Sequence, residues 1–235
     1  MKSISVILPT YEEKDNIKDM IQRIKRSAGN LKEIIVVDDN SPDLTWKLVS
    51  ELAKRDKKIK LIRRIDERGI ASAIGKGIKA ATGDIIIWMD CDSTQPPELI
   101  PRLVERLDHY GLAIASRYVG IGSDKRTMTR IVTSKLFNIF ASFVLWLPIK
   151  DTDSGFIAVN RKVFDAVPFP AYGYGEYFVE FIYKCHKKGI RMTEVGYEFR
   201  DRSRGRSKTA DDIPTLLRYG WQYGIKVLKL RAGLI

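Results

Sequence analysis

Asp90 and Asp92, with only Cys91 between them, close the apolar run Asp84-Ile85-Ile86-Ile87-Trp88-Met89. Carboxylate oxygens are hard ligands, and a pair beside open water positions suits a divalent cation that holds phosphates. The pair converges on one ligand where the chain turns, and Ser93-Thr94-Gln95-Pro96-Pro97 supplies the turn. Two more acidic turns follow apolar runs, Thr10-Tyr11-Glu12-Glu13 after Ile4–Leu8 and Asp38-Asp39 after Ile34–Val37. Pro9 and Tyr11 offer surfaces on which a base can pack. A carboxylate such as Asp39 can accept a hydrogen bond from a base N–H or a ribose hydroxyl.

Those turns need strands to carry them. Ile85 to Met89 and Ile34 to Val37 are continuously apolar, the pattern of strands covered on both faces. Ile4 to Leu8 predicts a strand stopped at Pro9, and Ile59 to Ile62 another. Between them a helix from about Asp15 places Ile17, Met20, Ile21 and Ile24 on one face and ends at Gly29, and a second carries Leu48, Val49 and Leu52. This alternation predicts an α/β fold with a mainly parallel central sheet flanked by helices. In such sheets ligands sit at the C-terminal strand ends, where all three acidic turns fall.

Gly75-Lys76-Gly77-Ile78-Lys79-Ala80 lies inside a helical stretch, so its glycines indicate close helix packing rather than a dinucleotide loop. A helix over 97–109 and a strand over 112–115 lead to Ser116-Arg117-Tyr118, and the loop 119–128 reads as mobile. Ile131 to Ile149 is the most apolar stretch. Lys135 and Asn138 argue against a full membrane span, which leaves an interface helix or a core helix. The turn Asp151-Thr152-Asp153-Ser154-Gly155-Phe156 precedes a short strand over 157–159, a helix over 176–187 and a strand over 192–199. After a loop at 201–208, a last helix over 211–231 combines Leu216, Leu217, Trp221, Ile225 and Leu228 with Arg218, Lys226, Lys229 and Arg231. An interfacial anchor and a core helix with a solvated basic face share that pattern. The expected organisation is a catalytic domain over 1–210, with an interface helix at 130–149, and a membrane-proximal amphipathic helix over 211–235.

Composition narrows the partners. Lys and Arg outnumber Asp and Glu by 41 to 29, which favours anionic partners. The absence of a phosphate-loop lysine motif disfavours an ATPase. Cys91 and Cys185 are the two cysteines, and no structural disulfide is expected. The N-terminus lacks the pattern of a signal peptide, so the chain reads as a protein of the cytosolic side. His109 and His186 fall on predicted helices away from the turns and are read as structural.

The blocks Pro9-Thr10-Tyr11-Glu12-Glu13, Val36-Val37-Asp38-Asp39-Asn40-Ser41-Pro42-Asp43, Asp90-Cys91-Asp92 with Pro96-Pro97, Ser116-Arg117-Tyr118, Asp153-Ser154-Gly155-Phe156, and Asp201-Arg202 with Gly205 and Ser207-Lys208 run in order along the chain. Together they resemble the inverting family 2 glycosyltransferases, and more narrowly the polyprenyl-phosphate sugar transferases that include dolichol-phosphate mannose synthases. The resemblance implies the GT-A nucleotide-diphospho-sugar fold, Mg²⁺ or Mn²⁺ as cofactor, and GDP-mannose or a UDP-sugar as donor. It implies a dolichyl or polyprenyl phosphate acceptor at the cytoplasmic face of a membrane. Carried over by position, Pro9, Tyr11, Glu13, Val37 and Asp39 contact the nucleotide, while Asp90, Cys91 and Asp92 meet metal and diphosphate. Thr94 or Gln95 is a further candidate ligand. Arg202 and Lys208 close a loop over the diphosphate, and Arg117, Arg130 and Ser134 receive the acceptor phosphate. Family members often carry Asn where this chain has Glu12.

A sugar leaving a diphosphate passes through an oxocarbenium-like state, and a cation with Arg202 and Lys208 would stabilise the departing anion. A lipid phosphate is already ionised near neutral pH and needs no general base. A hydroxyl acceptor would need one, for which the turn at Asp151 to Asp153 offers the only obvious candidate. A nucleic-acid or anionic-surface binding module is the rival from another class. It would show a basic stripe with interleaved aromatics, whereas the positive charges here are scattered.

Overall fold

A computed structural model describes residues 2–200 and 213–235, with side chains described up to 200 and from 220. Its centre is a seven-stranded sheet in the order β3-β2-β1-β4-β7-β5-β8. The strands are β1 (Ile4–Thr10), β2 (Leu31–Asp38), β3 (Ile59–Arg63), β4 (Ile85–Trp88), β5 (Leu112–Ser116), β7 (Ile157–Asn160) and β8 (Met192–Gly196). β1, β2, β3 and β4 are mutually parallel, as their unbroken apolar runs predict. Pro9 does not stop β1 but pairs with Val37 near its end.

β7 runs against both neighbours, β4 and β5. Its N-terminal turn, residues 151–156, therefore meets the C-terminal ends of those strands. That reversal brings Asp90, Arg117 and Asp151 to one edge of the sheet. No local pattern announces it.

Alternate strand residues feed two cores. Val6, Leu8, Val36, Ile85 and Ile87 pack with α1 (Lys14–Ser27) and α4 (Ile100–Arg106), and α2 (Thr45–Arg55) adds Val49 to that side. Ile7, Ile35 and Trp88 face the other side, against α3 (Ile70–Ala80), α5 (Met128–Leu145) and α7 (Glu176–Lys187). The buried face of α1 is Ile17, Met20, Ile21 and Ile24, as its spacing predicts. The glycines of α3 serve close packing: a Cβ on Gly77 would lie 2.5 Å from Ile7 Cγ2.

One expectation changes. The loop 119–128 contains β6 (Ser123–Asp124), which pairs with β9 (Glu198–Phe199), so the segment read as mobile is tied to the chain after β8. The helix α8 (Ile213–Arg231) packs through Val227 and Leu230 into the core beside α5 and α7. Trp221 and Leu228 are 72% and 56% exposed, and Lys226 points inward. α6 (Val163–Ala166) is a single turn after β7.

Candidate functional site

A cavity of about 390 Å³ opens at the C-terminal edge of β1, β2 and β4. Of the residues expected to meet a nucleotide, Pro9, Tyr11, Glu13, Asp39, Asp90 and Cys91 line it. Val37 does not: its side chain is wholly buried in the core, on the same face of the sheet as Ile7, Ile35 and Trp88. Thr10, from the first acidic turn, lines it too. Arg68, Gly69, Ile70, Ala73 and Tyr174, which were not foreseen, complete the wall. The first of these follow β3, whose C-terminal end lies on the same edge by the rule that located the other turns. Arg202 and Lys208 lie outside the described residues.

The two aspartates of the second turn divide the work. Asp38 is buried and structural, accepting from Thr10 Oγ1 at 3.0 Å and from the Ser41 N–H at 2.9 Å. Asp39 reaches the cavity and holds its far wall. It accepts from Arg64 Nε at 2.6 Å and from the Gly69 N–H at 2.9 Å. Buried Arg64 also donates to Ser72 Oγ at 2.7 Å and to the Gly69 carbonyl at 2.9 Å. Gly69 has φ +132, which excludes most side chains. This cinch sets the neighbouring Arg68 guanidinium 5.2 Å from the Tyr11 ring. Glu13 is buried beside it, bonded to Asn16 Nδ2 at 2.8 Å.

The acidic turn is folded on itself. The Asp90 N–H donates to Gln95 Oε1 at 2.7 Å, and Gln95 Nε2 donates to Asp90 Oδ2 at 3.0 Å and to the Ser154 carbonyl at 3.3 Å. Asp92 is only 1% exposed, and its Oδ1 accepts from the N–H and hydroxyl of Thr94. Cys91 and Cys185 are both buried free thiols, in line with the expectation of no disulfide.

The second cluster, expected to take the acceptor, lies across the turn at 151–156. Arg117 is 5% exposed and donates to Asp151 through Nε at 2.9 Å and Nη2 at 2.6 Å. It also pairs with Asp153 and reaches Ser134 Oγ through Nη1 at 3.2 Å. The guanidinium fork expected to grip a phosphate is thus filled by Asp151, and Nη1 is the face it turns toward α5. Asn138 of α5 ties the cluster together, donating to Asp153 Oδ1 at 2.9 Å and accepting from Thr152. Arg130 is half-buried on α5, one turn before Ser134. Burial pushes the Asp151 carboxyl up to about 6 against the pull of Arg117, while Asp153, despite burial, is held below the ordinary range by Arg117 and Asn138.

Residues 5–167 match the sequence profile described as Glycosyl transferase family 2. The chain belongs to that family. Dolichol-phosphate mannosyltransferase of Pyrococcus furiosus is 38% identical over 210 residues, covering 87% of this chain and 58% of that protein. Polyprenol monophosphomannose synthase of Mycolicibacterium smegmatis is 31% identical over 211 residues, 86% of this chain and 79% of the relative. This chain spans under two thirds of the length of the Pyrococcus furiosus relative. Among solved structures, glucosyl-3-phosphoglycerate synthase from Mycobacterium tuberculosis, in complex with Mn²⁺, UDP and phosphoglyceric acid, superposes with TM-score 0.74 at 20% identity. That match covers 99% of this chain and 79% of the other. The fold is therefore the GT-A fold that the motifs imply.

In this family 2 chain the donor set at the acidic turn is wholly oxygen, from Asp90, Asp92, Thr94 and Gln95. Among the described residues no group of three or more His, Cys, Asp or Glu is gathered into a cage. One or two carboxylates that leave the remaining positions to water and phosphate suit Mg²⁺, and an all-oxygen set also suits Mn²⁺, so the residues fit the metal.

Proposed function

We propose that the chain transfers mannose from GDP-mannose to the phosphate of a dolichyl or other polyprenyl lipid, with inversion, at the cytoplasmic face of a membrane. One observation carries this reading: a single helix, α5, brings Ser134 to the cluster around Arg117 and turns an apolar stripe to the outside. Val132, Leu136, Ile139, Phe143 and Trp146 are all exposed, Phe143 at 79% and Trp146 at 73%. The opposite side of α5 is packed through Asn138, Ala141 and Leu145, as in a helix lying on a membrane rather than crossing it.

The donor nucleotide occupies the cavity, with its base against Pro9 and Tyr11 and Asp39 within reach of a ribose or base donor. A divalent cation bound by Asp90 and Asp92 would neutralise the diphosphate and ease its departure. Thr94 is the better third protein ligand, since its hydroxyl keeps lone pairs while donating to Asp92, whereas the Gln95 amide braces Asp90 and Ser154. Arg117 Nη1, Ser134 and Arg130 orient the acceptor phosphate. Its oxygen forms the new bond to the anomeric carbon from the face opposite the diphosphate as the old C–O bond breaks. The acceptor phosphate is already ionised, so Asp151 and Asp153 serve as anchors of Arg117 and not as bases.

The test supplies labelled GDP-mannose and Mn²⁺ with dolichyl phosphate in one arm and unphosphorylated dolichol in the other. Label entering the lipid only in the phosphate arm, as a β-linked product, is the expected result. Equal transfer to dolichol would overturn the phosphate acceptor.

A further inference from the structure

Lys226 looks from the sequence like one more cation on an interfacial helix, yet its side chain is only 12% exposed and pairs with the wholly buried carboxylate of Glu180 on α7. Glu180 also takes Lys184 Nζ at 2.6 Å and the Tyr172 hydroxyl at 2.6 Å. The Lys226 ammonium lies 4.6 Å from the centre of the Tyr172 ring. A carboxylate buried without solvent needs such partners, and their cost in ordering is repaid only in a fixed geometry.

That geometry bears on the cavity. Tyr172 opens the segment Tyr172–Gly175, whose Tyr174 stands in the cavity wall with Asp90. The segment turns at Gly173, φ +83, and both the Tyr174 and Gly175 N–H groups donate to Glu176 Oε2 at 3.0 Å. Gly175 is pressed on Tyr223 of α8, where an added Cβ would come within 2.0 Å of the hydroxyl oxygen. Tyr223 and Lys226, three residues apart on one face of α8, thus back the segment from behind.

We infer that Lys226 and Glu180 are positioning residues for the donor nucleotide, fixing Tyr172 and through it the placement of Tyr174 at the cavity. This rests on the reading of the cavity as the donor site. The helix bearing the outward Trp221 and Leu228 is by this route mechanically connected to the donor pocket.

The test titrates Mg²⁺ with GDP, and in parallel with UDP, into the full chain and its variants by calorimetry. Tyr174→Ala is expected to weaken the preferred nucleotide about tenfold, the worth of one aromatic contact. Tyr172→Phe, which removes only the hydroxyl, and Lys226→Met, which leaves Glu180 paired with Lys184, should each weaken it severalfold. Neither should add to the loss in a Tyr174→Ala background, and the KM for lipid phosphate should stay put. Unchanged nucleotide affinity in Lys226→Met and Tyr172→Phe, fully additive losses, or a parallel rise in lipid KM would overturn the inference. A wild-type chain that takes up neither nucleotide would instead overturn the donor-site reading, and the inference with it.

Discussion

Arg117 holds Asp151 three times: Nε to Oδ2 at 2.9 Å, Nη2 to Oδ1 at 2.6 Å, and its own main-chain N–H to Oδ2 at 2.8 Å. Removing the guanidinium leaves the buried Asp151 and the half-buried Asp153 without their cation, so Arg117→Ala should cost about 3–5 kcal/mol of stability and report mostly on folding. Arg117→Lys is the informative change. It keeps the charge but loses the planar fork, and steady-state kinetics should show the KM for lipid phosphate rising at least ~10-fold with the donor KM little changed. Equal rises in both would argue against an acceptor role.

Asp92→Asn keeps the side-chain oxygen that accepts from Thr94, so the turn should survive. Transfer should fall at least ~100-fold through loss of metal and diphosphate stabilisation, with the thermal midpoint near that of wild type. Normal turnover by this variant would remove the metal-site proposal.

Glu33, at the far end of the sheet from the site, accepts from Ser5 Oγ at 2.6 Å and from the Thr82 N–H at 2.6 Å, and pairs with Lys60. Burial works to raise its pKa, but Lys60, Ser5 and Thr82 bring it from the usual 4.5 down to about 2. Between those values the unfolded chain binds the proton and the folded one does not, so stability rises with pH there. The contribution is present above pH 4.5 and is lost as pH falls toward 2. Denaturation across this window should show Glu33→Gln with a flatter dependence than wild type, and matching slopes would discount the network.

Glu12 sits at φ +55, in the left-handed region where Asn is better tolerated. Glu12→Asn should stabilise the fold by about 1 kcal/mol in denaturant titration. A loss would mean that the Glu12 side chain supports the turn in some other way.

The reach of the sequence is clearest in these residues. The apolar runs of β1, β2 and β4 located the edge that carries Asp39 and Asp90, whereas nothing local announced the left-handed backbone at Glu12. What stayed hidden depends on contacts with no local signal. β7 enters the sheet against its neighbours, which alone explains why Asp151 faces Arg117. Tyr174 reaches the cavity from the chain just before α7. Lys226 finds Glu180 on another helix, so helical spacing alone assigned it to the wrong face.

Phe143 and Trp146 should matter for the membrane and not for the catalytic centre. Phe143→Asp with Trp146→Asp should weaken co-sedimentation with anionic vesicles at least ~10-fold, since each buried side chain is worth about 1.5–3 kcal/mol. Transfer to a short, water-soluble prenyl phosphate should be unaffected. Undiminished vesicle binding would place the membrane contact elsewhere.

The most direct measurement incubates the chain with Mn²⁺, detergent-dispersed dolichyl phosphate, and labelled GDP-mannose or labelled UDP-glucose in parallel, counting label in the organic phase. Lipid-borne label from GDP-mannose is the predicted result. Label from UDP-glucose alone would contradict the donor, and no label from either would contradict transfer to a lipid phosphate.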